Sequence, residues 1–185
     1  MKPLPFPPRK DESAPSTVVQ QTLLVNLDAL YSTALRLTAN PSQAEDVVQE
    51  TARKALQAAE TIESTRNVRA WLFRILVNSI RDHLRRSRRW DEVELTSDDL
   101  SAGDCGFPSA QVTQQDVRTA VKELVPAMRI VVLLVDIEGF TVMETADILR
   151  LPIGTVASRL ARAHKQLRIL LDAYQPDIHK DRRQL

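Results

Sequence analysis

Apolar residues recur at helical spacing along most of the chain, and the breaks in that recurrence divide it into discrete helices. Leu24, Leu27, Leu30, Tyr31, Ala34 and Leu35 mark a first amphipathic helix, which Asn40-Pro41 ends. Ser42 and Glu45 stand in capping-box spacing and predict a second helix running to about Ala59. Its apolar side is Ala44, Val47, Val48, Thr51 and Ala55, and its polar side is Asp46, Gln49, Glu50, Arg53 and Gln57. Residues 61–66 read as a loop. A third helix starts near Asn67 and passes through Trp71, Leu72, Ile75, Leu76 and Ile80 to an Arg-rich end near Arg89. Further on, the periodicity predicts helices over 112–124, 127–136, 142–149 and 155–171.

The last two of these carry the strongest local signal. Thr141 and Glu144 have the T-x-x-E spacing of a capping box, so a helix begins at Val142, with Ala146, Ile148 and Leu149 on its apolar side. Pro152 and Gly154 interrupt it; proline disfavours helix at Leu151 and glycine permits unusual backbone angles. Val156, Leu160, Ala163, Leu167 and Leu170 then form one buried stripe, and Thr155, Ser158, Arg159, Arg162 and Lys165 fall mostly away from it. Hydroxyl and cationic donors at that spacing suit phosphate oxygens and base edges, and two helices with a short break are the sequence form of a helix-turn-helix. A helical hairpin with a solvated basic face is the plainer alternative.

Composition agrees with an all-α chain: glycine is scarce, at 4 of 185 residues, and alternating β-branched runs are rare. The net charge of only +1 argues against a nucleic-acid binder until its distribution is considered. From Arg66 to Arg89 the only acid is Asp82, against Arg66, Arg69, Arg74, Arg81, Arg85, Arg86, Arg88 and Arg89. Arg74, Asn78, Arg81, Arg85 and Arg88 line up opposite the apolar stripe, a density suited to a phosphate backbone, with Asn78 able to pair a base edge. Trp71 lies on the apolar stripe, which makes it a core anchor before a base-stacking platform. Residues 91–109 hold Asp91, Glu92, Glu94, Asp98, Asp99 and Asp104, no Lys or Arg, and interspersed Ser, Gly and Pro; such a segment builds no core and reads as a flexible linker.

The expected organisation is therefore a disordered arm (1–17), a helical domain (18–90), an acidic linker (91–109), a helix-turn-helix domain (110–174) and a polar tail (175–185). The arm is rich in proline and charge, lacks the apolar stretch of a signal peptide, and no run of the chain is long enough to span a bilayer. Cys105 is the only cysteine, which excludes an internal disulfide or thiolate metal cluster and fits a reducing cytoplasm. His83, His164 and His179 have no metal-ligand spacing, and there is no nucleophile constellation or phosphate-binding glycine loop, so no catalytic residue, metal or cofactor is expected.

Several stretches together resemble the bacterial extracytoplasmic-function (group 4) sigma factors of the sigma-70 family. They are Ala44-Glu45-Asp46-Val47-Val48-Gln49-Glu50 and Ala70-Trp71-Leu72-Phe73-Arg74-Ile75-Leu76-Val77-Asn78 in the first half. In the second half they are Leu124-Val125-Pro126-Ala127-Met128-Arg129, Glu138-Gly139-Phe140-Thr141 and the run from Ile153 to Ala163. The resemblance implies a non-enzymatic protein that joins core RNA polymerase, directs it to promoters and helps open the duplex. It implies that Asp46, Gln49, Glu50 and Arg53 dock on the polymerase clamp, a role the spacing alone would leave as a solvated face. It implies that the loop with Thr61, Ser64, Arg66 and Asn67, beside Arg74, Asn78, Arg81 and Arg85, holds the −10 strand, and that Thr155, Ser158, Arg159, Arg162 and Lys165 read the −35 duplex. The partners so implied are core polymerase through its clamp and flap, promoter DNA and an anti-sigma factor, in the cytoplasm without membrane insertion. Two departures bear on promoter choice: Ala157 stands where many relatives have Lys or Arg, and Thr145-Ala146-Asp147 where Glu-Ile-Ala is usual.

Two other classes compete. A stand-alone repressor or activator would use the same helix-turn-helix as a dimer on a palindrome, but needs neither the basic third helix nor the acidic linker. A decoy that only sequesters a regulator would lack the basic −10 face, which this chain retains.

Overall fold

The computed structural model describes residues 15–60, 67–86 and 113–173. In chain order these form α1 (Pro15–Thr38), α2 (Pro41–Gln57), α3 (Val68–Arg86), α4 (Gln114–Glu123), α5 (Pro126–Val132), a π-turn (Leu133–Ile137), α6 (Val142–Leu149) and α7 (Ile153–Ala173). The described residues are helical with no strand, as the periodicity predicts. Most of the expected arm, the whole expected linker and the expected tail lie outside them.

Helix α1 starts inside the expected arm, because Val19 is fully buried and Leu23 nearly so. Its core stripe is Val19, Leu23, Leu30, Ala34 and Leu37, while Leu24, expected on the apolar side, is 67% exposed. Helix α2 is capped by Asn40, whose side chain accepts from Gln43 N at 3.1 Å, with Pro41 in the first turn; the expected Ser42–Glu45 box does not form. Pro41 needs no backbone donor there, and Asn40 already stands in extended geometry, so the cap falls two residues earlier. Helices α1, α2 and α3 pack on one another as the first module.

In the second module a capping box of Thr113 and Asp116 starts α4, and Pro126 starts α5. The Arg129 guanidinium donates to the carbonyls of Lys122 and Leu124, satisfying acceptors at the C-terminus of α4, and reaches the Arg36 carbonyl near the end of α1. The helix expected over 127–136 widens into the π-turn, where Glu138 N bonds to Leu133 O and Phe140 N to Leu134 O, each at 2.9 Å. Gly139, at φ +73, closes the turn in the left-handed region that favours glycine.

The two modules share one apolar core at the boundary between α3 and α6. Phe73 of α3 and Phe140, just before α6, are both buried and meet edge-to-face with ring centroids 5.0 Å apart. This accounts for further buried positions on α3, Phe73, Val77 and Leu84, beside the predicted stripe: the helix is covered from two sides.

Candidate nucleic-acid interface

The helix-turn-helix forms as the pattern predicts, with one exchange of roles. Thr141 Oγ1 accepts from Glu144 N at 3.1 Å and Glu144 Oε2 accepts from Thr141 N at 2.9 Å, completing the capping box. The carboxylate accepts from the Thr141 backbone N–H and also, at 3.0 Å, from the Thr141 hydroxyl; these two bonds, the backbone one first, hold the Glu144 carboxyl below its usual range. The sharp turn after α6 is made by Arg150 at φ 56, with Leu151 N bonding back to Ala146 O at 3.0 Å. Gly154, expected to supply the unusual angles, lies within the first turn of α7 and has no positive φ. The left-handed residue belongs to the C-terminal end of α6, where the chain must reverse out of the helix; by Gly154 the next helix has started.

Helix α7 buries Val156 and Ala163 completely and packs Leu160 and Leu167 against the core. Its other side presents Thr155, Ser158, Arg159, Arg162 and Lys165, of which Lys165 is exposed and the rest half-buried. Ser158 Oγ donates to Thr155 O at 3.0 Å. Burial, then the like charge of Arg162, lowers the Arg159 guanidinium from its ordinary value. Two crowded cations without an acidic partner among the described residues are a site that an anion relieves. Asp136 in the π-turn holds His164 Nε2 at 2.8 Å, fixing the rotation of α7 against the module.

The α3 face differs from the expected solvent-facing stripe. Of its predicted residues, Thr61, Ser64 and Arg66 lie outside the described residues. Arg85 is exposed, whereas Arg74, Asn78 and Arg81 are half-buried. Arg81 donates to the Leu149 carbonyl at 3.3 and 3.4 Å. Asn67 caps α3 by accepting from Ala70 N at 3.1 Å, and its amide donates to Glu144 Oε1 at 2.8 Å. Arg74 Nε is buried without a hydrogen-bond partner. Helix α6 and its N-cap lie against this part of α3, which accounts for the engagement of Asn67 and Arg81.

On α2, Asp46, Gln49 and Arg53 are exposed and Glu50 is half-buried. Arg53 Nη2 and Nε hold Glu50 at 2.6 and 2.8 Å, and Lys54 adds a contact at 3.4 Å. The Arg53 bond is the main reason the Glu50 carboxyl is lowered to about 2. Asp46 and Glu50 line a groove of about 280 Å³ with Asp82 and His83 of α3, so the acidic face is shared between two helices.

The sequence points to Arg69 only as one of many arginines and to Glu138 only within a family-like run; the fold brings both together with Thr33. Arg69 Nη2 donates to Glu138 Oε2 at 3.0 Å, Thr33 Oγ1 donates to Glu138 Oε1 at 2.9 Å, and Arg69 Nε donates to Asn26 Oδ1 at 2.9 Å. The Arg69 guanidinium also lies 5.1 Å from the Phe73 ring centroid and 4.3 Å from that of Phe140. The available signal was Arg69 standing four residues before Phe73. Among the described residues no cluster of His, Cys, Asp or Glu is arranged to hold a metal, and no helix is long and apolar enough to cross a membrane.

Residues 24–90 match the family model of Sigma-70 region 2, and residues 114–167 that of Sigma-70, region 4. The chain is 32% identical over 155 residues to the ECF RNA polymerase sigma factor EcfG of Rhodopseudomonas palustris, covering 83% of this chain and 84% of that one. It is 37% identical over 146 residues to the ECF RNA polymerase sigma factor SigL of Mycobacterium tuberculosis, covering 77% and 82%. Its fold is similar to the sigma factor RpoE in complex with the anti-sigma factor NepR from Bartonella quintana. The TM-score there is 0.66 at 31% identity, covering 84% of this chain and 98% of that one. It is also similar to CnrH in complex with the cytosolic domain of CnrY, at a TM-score of 0.61 and 27% identity, covering 88% and 100%.

Proposed function

The chain belongs to the ECF RNA polymerase sigma factors, and from that premise we propose how its helices divide the work. It directs core RNA polymerase to promoters. The division follows the domain boundaries expected from the sequence: 18–90 for polymerase and −10 binding, 91–109 as an acidic tether, 110–174 for −35 binding. Within the sigma-70 family this two-domain plan fits group 4.

Thr155, Ser158, Arg159, Arg162 and Lys165 read the −35 duplex. The carrying observation is that they stand together on α7 after a capped α6 and a sharp turn, opposite the stripe of Val156 and Ala163. Helix α3 supplies Arg74, Asn78, Arg81 and Arg85, with Asn67 and the preceding loop residues Thr61, Ser64 and Arg66, to hold the opened −10 strand. Capturing unstacked bases costs roughly a few kcal/mol per step, which a basic helix beside a loop offsets with phosphate contacts. Asp46, Gln49, Glu50 and Arg53 dock on the polymerase clamp, and the second module meets the flap. The groove of Asp46, Glu50, Lys54, Asp82 and His83 supports this by offering the carboxylates of Asp46 and Asp82 to a cationic side chain, Glu50 being held by Arg53 and Lys54. Sigma factors of similar fold are held by anti-sigma factors, and the same kind of partner fits this chain, in the cytoplasm beside the polymerase. No residue is assigned a catalytic role.

In vitro transcription with core polymerase on a genomic promoter pool tests this reading. Holoenzyme should initiate at a restricted promoter set with common −35 and −10 sequences. Failure to bind core polymerase, with dimeric binding to palindromes instead, would replace it by the stand-alone regulator.

A further inference from the structure

Exposure along α7 does not follow the row of residues proposed to read the duplex. Thr155, Ser158, Arg159 and Arg162 are half-buried, whereas Ala157, Ala161, His164 and Lys165 are exposed. Those four recur at i, i+4, i+7 and i+8, so they form one stripe along the helix. His164 is the member of that stripe tied to another element: its Nε2 lies 2.8 Å from Asp136 Oδ2 in the π-turn. A carboxylate oxygen accepts, so Nε2 carries the proton and donates. The consequence falls on the other ring nitrogen. In the neutral imidazole Nδ1 is then a lone pair, which repels a phosphate oxygen. In the imidazolium Nδ1 is an N–H donor with a positive charge behind it. Nδ1 has no partner among the described residues, and the side chain is 46% exposed, so that position is open to a ligand.

The other charged groups on the elements packed against α7 are engaged elsewhere or turned to solvent. On α5, Arg129 donates to the carbonyls of Lys122 and Leu124, and Glu123 of α4 acts on it. Asp116 closes the cap of α4, and Arg118 and Lys122 line a groove beside α1. On α6, Glu144 is held by Thr141 and Asn67, while Asp147 and Arg150 are exposed. Asp136 is thus the acid that orients His164, and Lys165 and Arg168 are its neighbouring cations on α7 itself.

We propose that His164 is a further duplex contact of the −35 reader, donating from Nδ1 to a backbone phosphate when protonated, with Asp136 as the positioning residue that reserves Nδ1 for it. This rests on the assignment of α7 to the −35 duplex. A recognition helix reads base edges with its N-terminal residues, and His164 stands beyond Arg159 and Arg162, where the helix meets the backbone. Protonation adds a donor and a charge beside Lys165, and both favour an anionic strand. Acidification therefore tightens −35 binding without changing which bases are read, because a phosphate contact carries no sequence information.

The test is anisotropy of a labelled −35 duplex, taken from a promoter the holoenzyme transcribes, with the full chain between about pH 5.5 and about pH 8. The parent should bind roughly three- to tenfold more tightly at the acidic end, and His164→Gln should lose that gain. His164→Arg carries a permanent donor and charge, so its alkaline affinity should match the parent's acidic one. Asp136→Ala lets the neutral ring carry its proton on Nδ1, so the ratio of acidic to alkaline affinity should shrink. At the acidic end the dependence of log K on log salt should be steeper in the parent than in His164→Gln by about 0.9, the value for one phosphate, and the two should coincide at the alkaline end. A parent without the gain, or a gain that survives in His164→Gln, overturns the proposal. A gain lost in His164→Gln with an unchanged salt slope also overturns it, because the ring then acts on the pose of α7 and not on a phosphate. If Arg162→Ala and Lys165→Ala leave binding unchanged at both ends, the α7 assignment is what fails, and the His164 contact falls with it.

Discussion

Helices α3 and α7 carry the same chemistry on one side: arginines at helical spacing with a polar uncharged residue among them. Their surroundings differ. On α7, Arg159 and Arg162 crowd each other with no acidic partner among the described residues. On α3 the corresponding side faces a second module, and Arg81 and Asn67 already have partners there. The lesson is that a count of arginines on a helix face measures capacity for phosphate, whereas availability depends on what else packs against the helix. The nearest analogue on α2, Arg53, is bound to Glu50 and so contributes little net charge of its own.

The largest test of this contrast is at the place where it originates. Phe73 is fully buried and meets Phe140 across the module boundary, so Phe73→Ala removes packing from both modules at once. A loss of about 3–5 kcal/mol is expected, measured by denaturant unfolding of the full chain. If the modules were independent in solution, Phe140→Ala would leave the first module's unfolding unchanged; a shared boundary requires both substitutions to destabilise it.

The second test concerns a cation engaged by its own helix. Glu50 should titrate at about 2 by carboxyl-carbon NMR, and Arg53→Ala should return it toward its ordinary 4.5. A depressed carboxyl contributes stability that is present above 4.5 and lost as pH falls through about 2, so this pair favours the fold across that window and not below it. Its contribution is heavily screened because the site is open to solvent. A Glu50 titrating near 4.5 in the parent would show that Arg53 is free after all.

These contrasts also separate what was legible in the chain from what was not. The Thr141–Glu144 box and the bounds of α6 follow from adjacent residues, and the structure has them as read. The α7 stripe was legible because a single core covers it. Helix α3 was read as one-sided because periodicity reports the stripe it is scored against; a second partner is visible only once Glu138 arrives from the other module, 69 residues beyond Arg69. Leu24 departs for a related reason: it shares helical spacing with Leu27 and Tyr31, but the burial of Val19 and Leu23 rotates the core stripe of α1 away from it. Local chemistry also has near ties. Asn40 and Ser42 are both good caps, and Pro41 decides between them.

A sharper form of the comparison sets one arginine from each helix against its own ligand. Arg162→Ala should weaken binding of −35 duplex by about 1–3 kcal/mol if it contacts a base edge, and Arg159→Ala similarly. Arg81→Ala should cost less for a −10 single strand in the free protein than in holoenzyme, because in the free protein the Leu149 carbonyl already holds that guanidinium. Fluorescence anisotropy with free protein and with holoenzyme gives both numbers. Equal losses for Arg81→Ala in the two states would mean that the Leu149 contact does not limit its availability.

The smallest effect distinguishes geometry from charge in the turn between α6 and α7. Arg150 adopts φ 56, where a side chain is strained, and its amide bonds to Ala146 O. Arg150→Gly keeps that bond and relieves the strain, and should stabilise the chain by roughly 0.5–1 kcal/mol, read as a rise in melting temperature. It also deletes a cation beside the proposed −35 reader. If duplex affinity is unchanged while stability rises, Arg150 serves only the turn, and the free charges that matter are those on α7. If affinity falls as stability rises, the turn is part of the reading surface, and the open face extends from α7 back into the end of α6.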